Sequence, residues 1–169
     1  HYPMYKASDI KYFKSGELQF EDLKEELKKA KKFIFLEYFI VAEGVLLDSI
    51  IEILKEKANE GVEVRFMYDG MCPFNGIPYD YPEILKKFGI KAKMFSPVTA
   101  IISTYQNNRD HRKIVVIDGD IAYTGGVNLA DEYVNKKIRF GVWKDTAIKI
   151  KGDAVNSFTT MFLEMWNVD

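Results

Sequence analysis

Between residues 109 and 128 the chain reads RDHRKIVVIDGDIAYTGGVN, and its polar residues are spaced for chemistry on an anion. His111 and Lys113 stand at the entry of an apolar run, Asp118 closes it, and Gly125, Gly126 and Asn128 follow at fixed distances. Side chains alternate across a strand, so His111 and Lys113 share a face, about 7 Å apart along the chain at ~3.4 Å per residue. Asp118 has the opposite parity, which suits fixing a turn or supporting the site from elsewhere. A lysine beside a histidine repels cations, so no metal is expected. The same pair suits an oxyanion: the ammonium supplies a fixed charge, and the imidazole can act as nucleophile or as general acid and base. Glycines at 125 and 126 let backbone N–H groups approach bound oxygens, and Asn128 adds a side-chain donor. Together these suit a phosphoryl group.

A nucleophilic imidazole needs its second nitrogen held, usually by a carboxylate. Two candidates are Asp145, at the entry of a later strand, and Glu37, a lone carboxylate inside the apolar run FIFLEYFI. Asp145 is the favoured orienter. Glu37 is expected to pair with Lys113 or a neighbouring cation, because an unpartnered buried carboxylate is costly. Arg109 shares the parity of the site if the strand starts early, and then reaches a phosphate; a surface arginine on a loop is the other reading. Each feature alone has an ordinary structural explanation, since Asp-Gly makes hairpins and Gly-Gly makes turns. Their joint spacing carries the functional reading.

The elements that must position these residues are legible in outline. A possible short strand at IKYFK precedes a helix with Phe20, Leu23, Leu27 and Ala30 on one stripe, acidic residues early and lysines late. FIFLEYFI (33–40) reads as a buried strand. A second helix carries Leu46, Leu47, Ile50, Ile53, Leu54 and Ala58, and VEVRFMYD (62–69) is the next strand. A turn-rich loop, a short helix PEILKKFG and a strand IKAKMF follow. HRKIVVID and DIAYTGG pair as a hairpin around Asp118-Gly119, and DTAIKIK leads into a last helix with an apolar side from Ala154 to Trp166. The aromatics of 33–40 and of that helix read as core. Alternating strands and helices predict an α/β fold: a mixed, mostly parallel central sheet flanked by helices on both faces, in one domain over residues 1–169.

Composition narrows the functions. A net charge of −1 argues against a broad electrostatic nucleic-acid binder. Cys72 is the sole cysteine, so no internal disulfide can form. The uncharged run MFSPVTAIISTYQNN (94–108) is too short and polar to span a bilayer; with Ile101, Ile102 and Tyr105 it is expected to line a lipid route or touch a membrane, or else to pack on another domain. Lys136, Lys137 and Arg139 form either a solvated cluster or a surface for anionic head groups. The chain begins with His1 rather than Met, which is read as a piece of something longer.

The pattern H-x-K, four residues, D, six residues, G-G, x-N resembles the HKD signature of the phospholipase D superfamily. The wider text NNRDHRKIVVIDGDIAYTGGVNLADEY with VWKDT, and FIFLEYFI and GVEVRFMYD upstream, is similar to the N-terminal HKD half of bacterial cardiolipin synthases. The resemblance covers nearly the whole chain, and it is more specific for the superfamily than for the substrate. It implies a phospholipase D-like fold and no cofactor. It also implies two HKD motifs meeting across a pseudo-twofold axis, one histidine attacking phosphorus to give a phosphohistidine and the other protonating the leaving alcohol. His111 would be nucleophile or partner acid, Lys113 and Asn128 phosphoryl ligands, Asp145 the orienter, and Asp118 a support. The implied activity is joining two phosphatidylglycerols into cardiolipin with release of glycerol. Phospholipase D hydrolysis, a homodimeric nuclease, or an interaction domain that keeps the motif without turnover are the alternatives. One HKD motif is present, so a second HKD domain, in the same chain or a second subunit, is the expected partner and this chain alone is expected to be inactive. The other implied partners are an anionic phospholipid and a membrane surface, nucleic acid being disfavoured. The implied location is the bacterial plasma membrane, through segments absent from this chain, with the catalytic domain facing water.

Overall fold

A computed structural model describes residues 2–5, 8–98, 109–139 and 141–168. Along the chain these form β1 (Ser8–Phe13), α1 (Gly16–Lys29), β2 (Phe33–Tyr38), α2 (Val45–Asn59), β3 (Glu63–Asp69), α3 (Tyr81–Lys86), β4 (Lys91–Phe95), β5 (Ile114–Ile117), β6 (Ile121–Gly125), β7 (Ala147–Gly152) and α4 (Val155–Trp166). The strands make one sheet in the order β1-β7-β6-β5-β2-β3-β4. Ile101, Ile102 and Tyr105, singled out above, lie outside the described residues.

The α/β class and the mixed sheet are as expected, but the sheet is not mostly parallel. Two pairings are parallel, β2 with β3 and β3 with β4. Four are antiparallel: β1–β7, β2–β5, β5–β6 and β6–β7. The reason is connectivity. A parallel pair needs a crossover, and α2 and α3 supply it for the first half. Among the described residues no α-helix separates β5, β6 and β7, only a short 3₁₀ turn at Asp131–Val134 between the last two, and these strands reverse.

Strand alternation divides the core. Ile34, Leu36 and Tyr38 of β2, with Val115 and Ile117 of β5, join Leu23 and Leu27 of α1 and Leu47, Ile50 and Leu54 of α2 in one cluster. Phe35, Met67, Ile114 and Val116 join Val155 and Phe162 of α4 in the other. Phe35 and Phe162 stack with centroids 4.8 Å apart. Burying Phe162 fully stabilises the fold by about 2–3 kcal/mol. Among the described residues α4 alone covers its face, and Phe158, Met161, Met165 and Trp166 stay partly exposed there. The last helix is therefore less completely core than its sequence suggests.

Two carboxylates hold helices and turns in place from a distance. Gly44 precedes α2 and offers no capping side chain; Asp131 supplies it, accepting from the Val45 and Leu46 N–H groups at 3.1 and 2.8 Å. A Cβ on Gly44 would overlap that carboxylate, which explains the glycine. Asp118 does the same at the far edge. It has φ 55° and Gly119 φ 74°, the positive pair that a tight hairpin demands. Its carboxylate accepts from the N–H groups of Lys31, Lys32 and Phe33 at 2.8, 2.7 and 3.0 Å, fixing the turn from α1 into β2.

Strand directions place the ends of β2, β3, β4 and β6 and the starts of β5 and β7 along one edge. In open α/β sheets that carboxyl edge is where ligands bind. Asp118 stands at the other edge. Asp118→Asn keeps a residue that tolerates positive φ but sets an amide against backbone donors. The expected loss is about 1–3 kcal/mol of unfolding free energy in urea titration. An unchanged midpoint would remove the turn-fixing role.

Candidate active site

His111 and Lys113 converge at the carboxyl edge, although the parity argument that brought them together does not apply. The strand begins only at Ile114, so residues 109–113 are extended chain outside the ladder. What gathers the two side chains is Phe39, one residue past β2, where the chain bends. The imidazole lies against the Phe39 ring with centroids 4.6 Å apart, and the Lys113 ammonium sits over the same ring at 5.2 Å. Lys113 Nζ also donates to the His111 carbonyl at 2.6 Å. The lysine is buried and the histidine exposed. Burial lowers the Lys113 pKa, and the carboxylates of Asp110 and Asp145 work against that. The result is an ammonium whose hydration is mostly stripped, braced under an imidazole open to a ligand.

Phe39 was read from sequence as core, and it is a site residue instead. The segment carrying it is tied from two sides. Cys72 Sγ accepts from the Val41 N–H at 3.3 Å and donates to the Phe39 carbonyl at 3.4 Å, and burial pushes this thiol up to about 12. Asn128 Oδ1 accepts from the Ile40 N–H at 2.9 Å, while Val41 and Leu129 form a parallel bridge.

The remaining expected residues fare differently. Asn128 is buried, and its amide nitrogen donates to the Tyr133 hydroxyl at 3.0 Å, so much of its capacity goes to scaffolding rather than to a phosphate. Gly125 and Gly126 are at the edge, but not for open N–H groups: the Gly126 N–H donates to Thr146 O at 3.0 Å. They are glycines because side chains would collide, at 125 with Thr146 and Ala147 and at 126 with the Asp145 carboxylate. Asp145 therefore rests directly on Gly126, within electrostatic reach of Lys113. Its carboxylate accepts from the Thr146 N–H at 2.8 Å, and among the described residues it does not hydrogen-bond His111. Asp118, which the motif places among the HKD residues, is at the opposite edge with its oxygens filled by backbone donors, in the turn-fixing role its parity suits.

Of the two partners open to Glu37, the structure selects a neighbouring cation rather than Lys113, and Arg109 takes neither of its expected places. Arg109 does not reach toward a ligand: its guanidinium donates to Asp69 Oδ1 at 3.1 Å and to Ser96 O and Oγ at 2.8 and 2.6 Å. Glu37 is 0% exposed and turned to the α4 face, away from Lys113; its cation is Arg112, with Nε 2.6 Å from a carboxylate oxygen. Asp110, also buried, lies 3.3 Å from the same Nε. Its backbone N–H donates to Asp69 Oδ2 at 3.2 Å. Burial first, then the Asp110 carboxylate, push Glu37 up to about 8, outweighing the opposing guanidinium. Asp69, Asp110 and Arg112 were missed; the available signal was that Asp69 and Glu37 are carboxylates in otherwise apolar strand text, opposite an arginine-rich RDHR.

Geometry and sequence then meet known proteins. The family model for the cardiolipin synthase, PLD-like domain matches residues 23–166. An uncharacterized protein of Streptococcus mutans is 56% identical over 98% of the chain and 36% of its own length. Cardiolipin synthase 2 of Staphylococcus epidermidis is 38% identical over 95% of the chain and 33% of its own length. Among solved structures, NucT from Helicobacter pylori superposes with TM-score 0.67 at 13% identity, covering 95% of this chain and 96% of that one. A phospholipase D family member, Nuc from Salmonella typhimurium, gives TM-score 0.64 at 17% identity, over 95% of each chain. These two likenesses concern the fold alone. The chain belongs to the phospholipase D superfamily, and within it to the cardiolipin synthase, PLD-like domain family. It spans about a third of the length of the curated relatives it matches.

The Glu37 environment has a measurable sign. A carboxyl raised from 4.5 to about 8 contributes stability fully present below 4.5 and lost as pH rises through 8. Glu37→Gln keeps the neutral form, so the variant's stability is expected to fall less than wild type between pH 5 and 8 in urea titrations. Parallel pH dependences would mean that Glu37 is ionised in the folded chain.

Proposed function

We propose that this domain supplies one half of the site of an enzyme that transfers a phosphatidyl group from one phosphatidylglycerol to another, giving cardiolipin and glycerol. The observation that carries the reading is the exposed His111 imidazole set beside a braced, partly desolvated Lys113 ammonium on the Phe39 ring. Membership of the cardiolipin synthase, PLD-like domain family supports the lipid diester as substrate class.

In this reading the substrate phosphate lies over Phe39, with its negative oxygens toward Lys113. An imidazole nitrogen of His111 attacks phosphorus. The P–N bond forms as the P–O bond to the leaving glycerol breaks, and a second imidazole gives its proton to the departing alkoxide. The acceptor phosphatidylglycerol then loses its hydroxyl proton to that second imidazole and attacks the phosphohistidine, restoring both histidines. Lys113 stabilises the charge that builds on the equatorial oxygens, worth several kcal/mol when water is excluded. In this reading Asp145, which lies over Gly126, orients an imidazole once the facing half closes the site. The second imidazole comes from another HKD domain, in the remainder of a longer chain or in a second subunit, and the enzyme works at the bacterial plasma membrane. Hydrolysis differs only in the acceptor, water in place of an alcohol.

The test is to incubate full-length protein with labelled phosphatidylglycerol and, separately, with plasmid DNA. Cardiolipin plus glycerol, with acid-labile phosphate trapped on His111, is the expected result. His111→Asn should lower turnover roughly 10⁴-fold or more, and Lys113→Met roughly 10²–10³-fold. Nicked DNA without lipid product, or full turnover in the His111 variant, would overturn the assignment.

A further inference from the structure

Residues 135–144, NKKIRFGVWK, form a stretch with no carboxylate in a chain whose net charge is −1. Its base is fastened. Asn135 takes up φ 55°, and its side chain copies a strand partner for Trp143: Oδ1 accepts from the Trp143 N–H at 2.7 Å and Nδ2 donates to the Trp143 carbonyl at 3.0 Å. The Trp143 ring packs on Tyr133 with centroids 4.7 Å apart. Both ends of the loop then run into the active edge, through Tyr133 to Asn128 on one side and through Lys144 to Asp145 on the other.

From this pinched base the loop presents apolar side chains to water. Ile138 is 80% and Val142 89% exposed, and Lys136, Lys137 and Lys144 beside them are exposed too. Arg139 is engaged by Glu132 at 3.2 Å and is not counted. A core-forming loop would tuck the two aliphatic side chains in, and a merely solvated one would not display them. A loop fastened at its base, with exposed aliphatic side chains among exposed lysines, has the chemistry of an interfacial anchor: apolar tips enter the acyl boundary while ammonium groups meet phosphates.

We infer that the 136–144 loop docks the domain on an anionic phospholipid bilayer, with Ile138 and Val142 inserted and Lys136, Lys137 and Lys144 on the headgroups. This deepens the function proposed above, on which it rests for the identity of the lipid, by naming the surface that brings the catalytic edge to its substrate. The loop and His111 share an edge of the sheet, so docking sets the imidazole near the plane of the headgroups.

Flotation of the 169-residue chain with vesicles of phosphatidylcholine, alone or mixed with phosphatidylglycerol, tests it. Wild type is expected to float with the mixed vesicles and not with phosphatidylcholine alone. I138D/V142D and K136E/K137E should each weaken partitioning by about tenfold or more, with unchanged thermal melting, while I10D, another exposed aliphatic site on β1, binds as wild type. Equal flotation of the loop variants, no preference for anionic vesicles, or a wild type that ignores vesicles and self-associates through the loop would each overturn the inference. The catalytic proposal is scored separately, by phosphohistidine formation on a soluble phosphodiester in full-length protein carrying I138D/V142D. Label on His111 with undiminished vesicle binding by this variant sinks the docking loop alone; weakened vesicle binding without label sinks the chemistry alone.

Discussion

Carboxylates at the ends of two neighbouring strands grip the arginines on either side of His111. Asp69 at the end of β3 takes Arg109 and the Asp110 N–H, and Glu37 near the end of β2, with Asp110, takes Arg112. With 109, 110 and 112 drawn inward, residue 111 is the one left to project outward. The Lys113 bond to the His111 carbonyl then braces the same backbone from below. Asp69 is fully buried, so breaking its pair with Arg109 strands a charge, at about 3–5 kcal/mol, and this arrangement is held far more firmly than an exposed loop would be. The imidazole can afford to be open because the chain beneath it is not.

Much of this was legible in the sequence where a local rule governs. Helical stripes gave α1 and α2 their buried faces, and the Asp-Gly turn fixed the β5–β6 hairpin through its positive φ pair. The pairing of His111 with Lys113 was found, though for a reason that fails, since the strand starts too late for alternation to apply. What the sequence leaves open shares a cause: a side chain's partner is set by packing between elements far apart in the chain. Arg109 meets Ser96 and Asp69, Glu37 meets Arg112, and Asp118 meets the turn before β2, none of which spacing reveals. The parallel majority expected for the sheet fails for a local reason: the connections of β5, β6 and β7 hold no α-helix among the described residues, and a parallel crossover needs one.

The glycine pair illustrates how a correct residue can carry a mistaken mechanism. Gly125 and Gly126 mark the site, yet their lack of side chains makes room for β7 and the Asp145 carboxylate rather than for a ligand. The site is thus assembled by close approach of β6 to β7 on one side and by the tied 39–42 segment on the other. Its floor is an aromatic ring, which suits an anion only because the ammonium lies over that ring as well.

Cys72 is the one sulfur nucleophile available in these 169 residues, and it is sealed between a carbonyl and an amide with its ionisation suppressed. Maleimides and similar electrophiles react with the thiolate, so they find almost nothing to modify in the native fold. The wild-type background is consequently silent toward such reagents. A single cysteine introduced anywhere on the surface would accept a spin label or fluorophore selectively, without first engineering the natural one away.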